Sequence, residues 1–176
     1  VGQCAEKQQR RFELLTQGWN LDQARVLDVG CGRGDLYLWL KAQGFWGEYV
    51  GLDVVPEFVE LANQRTGNRC QVADVTKEAL PACDYAIASG VFNLDVGGGW
   101  KNPWWLAVIE RMQQAAGLGF AFDGLCTCRT PKDVRQVYRD PARLVDFITA
   151  RFQRYVTRLT HNKPPGNLIV QVTKQP

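Results

Sequence analysis

The sequence predicts an α/β fold: a doubly wound, mostly parallel sheet with helices on both faces and a C-terminal antiparallel hairpin. Short apolar runs alternate with amphipathic ones five times along the 176 residues, which is the pattern of β/α repeats. The loop between the last two apolar runs is too short to contain a helix, so these runs must pair antiparallel. The glycine-rich stretch "VLDVGCGRGDL" at 26–36 lies where a strand is followed by a helix.

Seven runs are predicted as strands because they are short, apolar and bounded by turn residues. Their limits are 25–29, 48–53, 69–73, 83–90, 118–125, 152–160 and 167–173. The fourth run is apolar almost without interruption, which indicates a strand buried on both faces.

Helices are predicted between and around these strands. Their limits are 8–15, 35–44, 56–65, 102–117 and, as one or two helices, roughly 132–150. Pro56 and Pro103 stand in first helical turns, where proline is favoured, and Asn102 is the predicted N-cap of the fourth helix. Gly44 and Gly117 are predicted helix ends.

The composition predicts a single soluble domain spanning residues 1–176. Hydrophobic residues make up 45% and charged residues 22% of the chain, as in ordinary globular proteins. No apolar run reaches the roughly 18 residues needed to cross a bilayer, and no leader is visible. The chain starts at Val1, which leaves open whether a leader was removed. We expect a cytoplasmic protein without a membrane partner.

The six cysteines do not have the pattern of a disulfide framework. Four of them lie in or beside apolar strand-like runs, where a free cysteine behaves as a small hydrophobic residue. Cys126 and Cys128 are two residues apart, which is not a usual zinc spacing, and His161 is the single histidine. We therefore expect no metal site and a reducing compartment.

The charge is unevenly distributed, although the net charge of +3 does not by itself indicate nucleic acid. The segment between positions 129 and 163 contains nine Lys and Arg residues and three Asp residues. This segment is either an ordinary solvated face or a basic rim that attracts an anionic substrate.

Three acids follow the first three predicted strands in a corresponding way. Asp28 precedes the glycines, Asp53 ends the second strand, and Asp74 follows the third. An acid about 20 residues after a glycine loop is placed to bind both hydroxyls of a ribose, and the later acid can accept a hydrogen bond from an adenine amine. Glycines allow the backbone to approach a ligand closely. Together these features predict an adenosine-containing ligand.

The spacing of the glycines narrows the choice of ligand. The dinucleotide fingerprint G-x-G-x-x-G requires glycine at position 35, where the chain has Asp35, and no G-x-x-x-x-G-K-[ST] occurs. A nicotinamide oxidoreductase is disfavoured by the same Asp35. The observed D-x-G-x-G-x-G resembles motif I of the class I S-adenosylmethionine (SAM) methyltransferases.

The resemblance covers about residues 20–175 and implies a seven-stranded sheet, SAM as cofactor and S-adenosylhomocysteine as product. It implies methyl transfer by in-line displacement, which mainly requires alignment of the reacting atoms and exclusion of water. "ASGVFN" at 88–93 matches the motif beside the transferring methyl group. The implied cofactor-binding residues, together with Arg11, are Asp28, Gly30, Cys31, Gly32, Asp53, Val54, Asp74, Val75, Ser89 and Gly90.

The N-terminal segment 1–20 is similar to the segment that covers the cofactor in many of these enzymes. Within it, the predicted helix places Phe12 and Leu15 on its apolar face. Arg11 then either pairs with the methionine carboxylate of SAM or is a surface arginine on an amphipathic helix.

The candidate catalytic residues are Asn93, Asp95 and His161, and each has an ordinary alternative. Asn93 either orients a nucleophile or forms a turn, Asp95 is either a base or a solvated loop residue, and His161 is either a base or has no specific role. The glycines at 97–99, followed by Trp100, predict either a flexible flap or a plain connection.

The expected acceptor is a small molecule. "NPWW" and "NKPPG" resemble the N-P-P-aromatic motif of DNA amino-methyltransferases, but neither follows the fourth strand directly, and Asn102-Pro103 is sufficiently explained as a helix start. We therefore expect no nucleic-acid substrate. A SAM-binding module without chemistry is the alternative, in which Trp100, Trp104 and Trp105 belong to an interface.

Overall fold

A computed structural model describes residues 2–97, 103–161 and 165–175, and it has the predicted α/β architecture. The strands are β1 Arg25–Val29, β2 Glu48–Asp53, β3 Cys70–Val72, β4 Cys83–Ala88, β5 Ala116–Cys126, β6 Tyr138–Arg139, β7 Tyr155–His161 and β8 Asn167–Lys174. The helices are α1 Gly2–Thr16, α2 Asp35–Ala42, α3 Pro56–Thr66, α4 Pro103–Ala115 and α5 Pro141–Arg151, with a 3₁₀ turn at Val91–Asn93.

The strands of the described ranges form one mixed sheet in the order β3-β2-β1-β4-β5-β8-β7, with β6 paired to the end of β5. The neighbours from β3 to β5 are parallel, whereas β8 runs antiparallel to both β5 and β7. The strand order reverses between β1 and β4, so the carboxyl ends of these two strands form the switch point where α/β sheets bind ligands.

The core has two parts, one on each face of the sheet. Helices α4 and α5 cover one face with apolar side chains such as Ile109 and Ile148. Helices α1, α2 and α3 cover the other face, where Phe12 and Leu15 are buried as predicted. Within the described ranges, none of the helices has both the length and the apolar character that crossing a membrane requires.

The structure corrects the predicted helix at roughly 132–150. Only 141–151 is helical, and the residues before it form a loop at 127–137 and the additional strand β6. Hydrogen bonds to distant segments stabilise this path, since the Val137 N–H donates to the Asn93 carbonyl at 3.0 Å and β6 pairs with β5. Tertiary contacts therefore override a local helical pattern.

Two further differences concern β5. The strand begins at Ala116, directly after α4, so Gly117 lies inside the strand and does not end the helix. At its other end, Cys126 is bonded to Cys128, whereas Cys31, Cys70 and Cys83 are buried free thiols. The expectation of free cysteines is therefore wrong for this one pair. The predicted N-cap Asn102 lies outside the described residues.

Candidate active site

The glycine loop connects β1 to α2 at the switch point of the sheet. Gly30 and Gly34 are required by the fold itself, because both have positive φ and a Cβ would meet a neighbouring side chain. That Cβ would lie 2.4 Å from Val91 at Gly30 and 2.6 Å from Thr66 at Gly34. At Gly32, by contrast, no described atom lies within 4 Å of the Cβ position. The space beside Gly32 is therefore open to a ligand.

Backbone amides of this loop are already used by the protein. The N–H groups of Gly30 and Cys31 donate to the Leu52 carbonyl at 2.7 and 3.0 Å, and the Gly32 N–H donates to the Asp53 carboxylate at 2.8 Å. A phosphate-binding loop instead directs such groups at its ligand. The loop therefore fits an adenosyl ligand without phosphates better than a phosphorylated nucleotide.

Asp53, the last residue of β2, is held in a defined orientation. One carboxylate oxygen accepts the Gly32 N–H, and the other accepts the Val55 N–H at 3.0 Å. Because each carboxylate oxygen offers two acceptor sites, Asp53 can still accept hydrogen bonds from two vicinal hydroxyl groups.

Two neighbouring hollows lie beside the loop. The main crevice has a volume of about 390 Å³, and a recess of about 200 Å³ lies beside it. Both are lined by Gly30, Gly32, Phe58 and Ser89. The other predicted cofactor-binding residues on the main crevice are Asp53, Val54, Val75 and Gly90, and those on the recess are Asp28 and Cys31. Gln8 and Phe12 bring α1 to the recess as well.

Asp28 is almost fully buried beside the recess, at 2% exposure. Its carboxylate accepts a hydrogen bond from the Tyr49 hydroxyl at 2.5 Å. Burial raises the pKa of Asp28 to about 7, the Tyr49 hydrogen bond opposes this rise, and the nearby acids Asp53 and Asp35 reinforce it. The Asp28 carboxyl group is therefore partly protonated and partly ionised near neutral pH.

Asp123 was not predicted from the sequence, although it adjoins the same site. It lies in the buried strand β5, accepts the Gly90 N–H at 2.5 Å and forms an ion pair with Arg11 Nε at 3.2 Å. Burial raises the pKa of Asp123, and the charge of Arg11 opposes that rise. An acid inside the apolar run "FAFDGL" was the available signal, since acids are rarely buried without a partner.

The partner of Arg11 affects its predicted role. The Arg11–Asp123 contact is close, but its geometry is not that of an aligned hydrogen bond, because Arg11 Nε is also buried without a hydrogen-bond acceptor among the described residues. The Arg11 side chain therefore connects α1 to β5 through Asp123. The same Asp123 also accepts the Gly90 N–H. Its pairing with a ligand carboxylate stays a prediction.

The carboxylate of Asp74 forms its contacts within the turn that follows β3. Its carboxylate accepts hydrogen bonds from the Thr76 N–H at 3.0 Å and the Thr76 hydroxyl at 2.6 Å, and it pairs with Lys77 Nζ at 2.8 Å. These contacts, the Lys77 contact first, hold the pKa of Asp74 at about 2. Its neighbour Val75 lines the main crevice, whereas the Asp74 carboxylate closes the turn.

The candidate catalytic residues are not brought together. Asn93 ends the 3₁₀ turn, and its side-chain oxygen is buried without a hydrogen-bond partner among the described residues. Asp95 is exposed and accepts the Gly97 N–H at 2.8 Å. His161 lies at the end of β7 against the sulfurs of Cys126 and Cys128. The described linings of the main crevice and the recess include none of these three candidates.

The predicted flap cannot be placed, because Gly98, Gly99 and Trp100 lie outside the described residues. Of the tryptophans named with it, Trp104 lines the main crevice and Trp105 is buried in the core.

Comparison with known proteins identifies the family. The model of a family described as "methyltransferase domain" matches residues 26–116, which include the glycine loop and β1 to β4. The putative methyltransferase Rv1506c of Mycobacterium tuberculosis is 33% identical over 149 residues, covering 78% of this chain and 86% of that protein. The chain belongs to the methyltransferase family.

Solved methyltransferase structures share its fold. Magnesium protoporphyrin IX methyltransferase of Synechocystis, with bound S-adenosylhomocysteine, superposes with a TM-score of 0.70 at 16% identity, over 98% of this chain and 84% of that one. A TehB-like SAM-dependent methyltransferase of Corynebacterium glutamicum has a TM-score of 0.65 at 17% identity, over 94% and 88%. At these identities the likeness concerns the fold.

Proposed function

We propose that this methyltransferase transfers a methyl group from SAM to a small-molecule acceptor that has an apolar body. The observation that carries the proposal is the main crevice, which combines the oriented Asp53 carboxylate with an otherwise mainly apolar wall beside the open face of Gly32. The recess extends the same space toward α1. Together these hollows can hold a ligand with a nucleoside part and an amino-acid part.

The residues that line the two hollows fit SAM. In this proposal Asp53 accepts hydrogen bonds from the ribose hydroxyls, Val54 and Val75 contact the adenine, and Asp28 faces the cationic amino-acid part. Bound SAM supplies a methyl group on a positively charged sulfur, which is a good leaving group. The protein then has to align the acceptor with that methyl group at Ser89 and keep water out.

The wall beyond Ser89 suggests what the acceptor is like. Val91, Leu94, Val96 and Trp104 line this end of the main crevice, and burial of an acceptor against them excludes water from the reaction. Among the described residues that line it, Asp53 is the one titratable side chain. We therefore propose an acceptor whose nucleophile needs no base from the crevice, such as a thiolate, carboxylate or acidic phenol.

Three further roles come from the sequence analysis: an anionic acceptor, an orienting role of Asn93, and base roles of Asp95 and His161. The anionic acceptor is supported by the basic segment, but within it Arg135 pairs with Asp133 at 2.8 Å and Arg139 donates to the Phe92 carbonyl at 2.7 Å. The orienting role of Asn93 is supported by its buried side-chain oxygen. The surroundings of Asp95 and His161 do not support a role as base. Both are tested by alanine variants in the assay of methyl transfer.

The binding part is tested by a matched pair of glycine variants. Gly32 and Gly67 both have positive φ, and neither has an atom within 4 Å of its Cβ position. Gly32→Ala therefore brings similar backbone strain to Gly67→Ala but also fills space at the crevice. We expect the Kd for SAM, measured by calorimetry, to rise at least tenfold, or ~1.4 kcal/mol, in Gly32→Ala and to stay near the wild-type value in Gly67→Ala.

Equal Kd values for the two variants would contradict the placement of SAM at the loop. The transfer part is tested separately by measuring S-adenosylhomocysteine release with a panel of apolar thiols, carboxylic acids and phenols, and with polar analogues of each. Turnover with the apolar members supports the proposal, and Asn93→Ala, Asp95→Ala and His161→Ala then test those side chains. Tight SAM binding without turnover, also with cell extract, would indicate a binding module.

A further inference from the structure

We propose that Cys126, Cys128 and His161 form a binding site for a thiophilic divalent cation, tested here as Zn²⁺, when the two cysteines are reduced. The His161 Nε2 atom lies 3.0 Å from the Cys126 sulfur and 3.1 Å from the Cys128 sulfur. All three donor atoms lie within 4.8 Å of one another. In the described part of the chain, no other group of three His, Cys, Asp or Glu side chains is this close.

The fold brings these donors together from two distant segments. Cys126 ends β5 and Cys128 follows in the next turn, whereas His161 ends β7. The start of β8 lies between them, since the Cys126 N–H donates to the Gly166 carbonyl at 2.9 Å and His161 pairs with Leu168. The site is difficult to recognise in the sequence because the histidine comes 33 residues after Cys128.

The donor set suits zinc. Thiolate sulfur and imidazole nitrogen are the common protein ligands of Zn²⁺, and three protein ligands leave a fourth tetrahedral position for water. Cys126 is buried, whereas Cys128 and His161 are exposed, so the cation can enter from solvent. These features favour a soft cation over Ca²⁺ or Mg²⁺, which prefer oxygen ligands.

The turn that carries the two cysteines is held by hydrogen bonds of its own. The backbone N–H of Cys128 donates to the Cys126 sulfur at 3.1 Å. The turn is held in place because the Arg129 N–H donates to the Cys126 carbonyl at 3.0 Å. Arg129 also brings positive charge to this turn, where its side chain packs against Gly166.

The oxidation state decides whether the site can bind a cation, since the two sulfurs are bonded to each other in the structure. A thiol reductant opens this bond: two reductant thiols become one disulfide, and their two electrons and two protons convert the protein disulfide into two thiols. Zn²⁺ then replaces the two thiol protons, which are released to solvent. Oxidation of the two cysteines removes both sulfur ligands.

A cation bound by Cys126, Cys128 and His161 would link the start of the loop at 127–137 to the hairpin of β7 and β8. The far end of this loop contacts the segment after β4, where Val137 donates to Asn93 and Gln136 pairs with Leu94. Leu94 lines the main crevice. The inference itself does not depend on the proposed function, because it concerns binding of the cation and not methyl transfer.

The test is metal binding by the whole chain after reduction with a phosphine and removal of excess metal. We expect one Zn²⁺ per chain, and with Co²⁺ a thiolate-to-cobalt charge-transfer band that Zn²⁺ abolishes. Cys128→Ser and His161→Ala change exposed side chains and should each weaken Zn²⁺ binding by at least roughly 100-fold. Cys83→Ala removes a buried free cysteine elsewhere and should leave Zn²⁺ binding unchanged.

Two further measurements complete the test. We expect Zn²⁺ to raise the Tm of the reduced wild type but not of Cys128→Ser, and the SAM Kd of Cys128→Ser to match that of the wild type. The proposal is overturned if reduced wild type binds no Zn²⁺ at micromolar concentration, or if the wild type and both ligand variants bind it equally. The pair would then be a disulfide only.

Discussion

The buried carboxyl group of Asp28 leads to a sharp prediction about stability and pH. Asp28 is 2% exposed, and burial raises its pKa from an ordinary value of 3.8 to about 7 despite the hydrogen bond from Tyr49. In Asp28→Asn the side chain keeps an acceptor for the Tyr49 hydroxyl and is neutral at every pH. We expect this variant to be more stable than the wild type above neutral pH and similar to it near pH 4.

The sign and size follow from proton linkage. Between pH 3.8 and about 7 the folded chain keeps the Asp28 proton that the unfolded chain has lost. The wild type is therefore progressively destabilised as the pH rises through this window, by up to ~1.4 kcal/mol per pH unit. Across the window the free energy of unfolding of Asp28→Asn should gain about 4 kcal/mol relative to the wild type.

The assay is urea unfolding of both proteins without SAM, at intervals from pH 4 to pH 8. Other titrating groups, including the buried Asp123, are present in both proteins and largely cancel in the difference. Tyr49→Phe is the matched control, because loss of its hydroxyl removes the contact that lowers the pKa of Asp28 and should extend the destabilised range to higher pH. A wild-type to Asp28→Asn difference that stays constant from pH 4 to pH 8 would refute the reasoning.

Two further predictions concern α1 and the crevice wall. Arg11→Gln removes the ion-pair partner of the buried Asp123 carboxylate, so we expect urea unfolding to report a loss of about 3 kcal/mol. Arg10→Gln, whose partner Glu13 is exposed, should lose less than about 1 kcal/mol. Equal losses would contradict a special role for the buried pair. Phe58 is 44% exposed and lines both hollows, so Phe58→Ala should raise the SAM Kd several-fold, measured by equilibrium dialysis, while Tm changes little; an unchanged Kd would exclude this wall from the binding site.

Much of the sheet could be predicted from the sequence because its central strands are buried on both faces. Such strands are continuous apolar runs with turns between them, and their order limits the possible topology. The loop at 127–137 could not be predicted in the same way. Its path depends on Val137 pairing with Asn93 and on β6 pairing with the end of β5, and both partners are distant in sequence.

The candidate site shows the same division between local and distant effects. Gly32 and Asp53 could be identified because the loop after β1 and the end of the neighbouring strand β2 are close in sequence, and one hydrogen bond joins them. The use of Asp74 in its own turn depends on which rotamer Thr76 and Lys77 stabilise. Asp123 was missed because its partners come from α1 and from the end of β4.

The carboxylates near the glycine loop lead to an expectation about which adenosine-containing ligand the site prefers. Asp28 and Asp53 lie at the glycine loop and Asp123 holds Gly90, and each of these carboxyl groups accepts a hydrogen bond from the protein. Asp53 and Asp35 both raise the pKa of Asp28, so the acids act on one another through a negative potential. SAM carries an ammonium, a sulfonium and a carboxylate, so its net positive charge relieves that repulsion, whereas a pyrophosphate increases it. We therefore expect the carboxylates near the loop, together with its glycines, to favour SAM over an adenosine-containing ligand that carries a pyrophosphate.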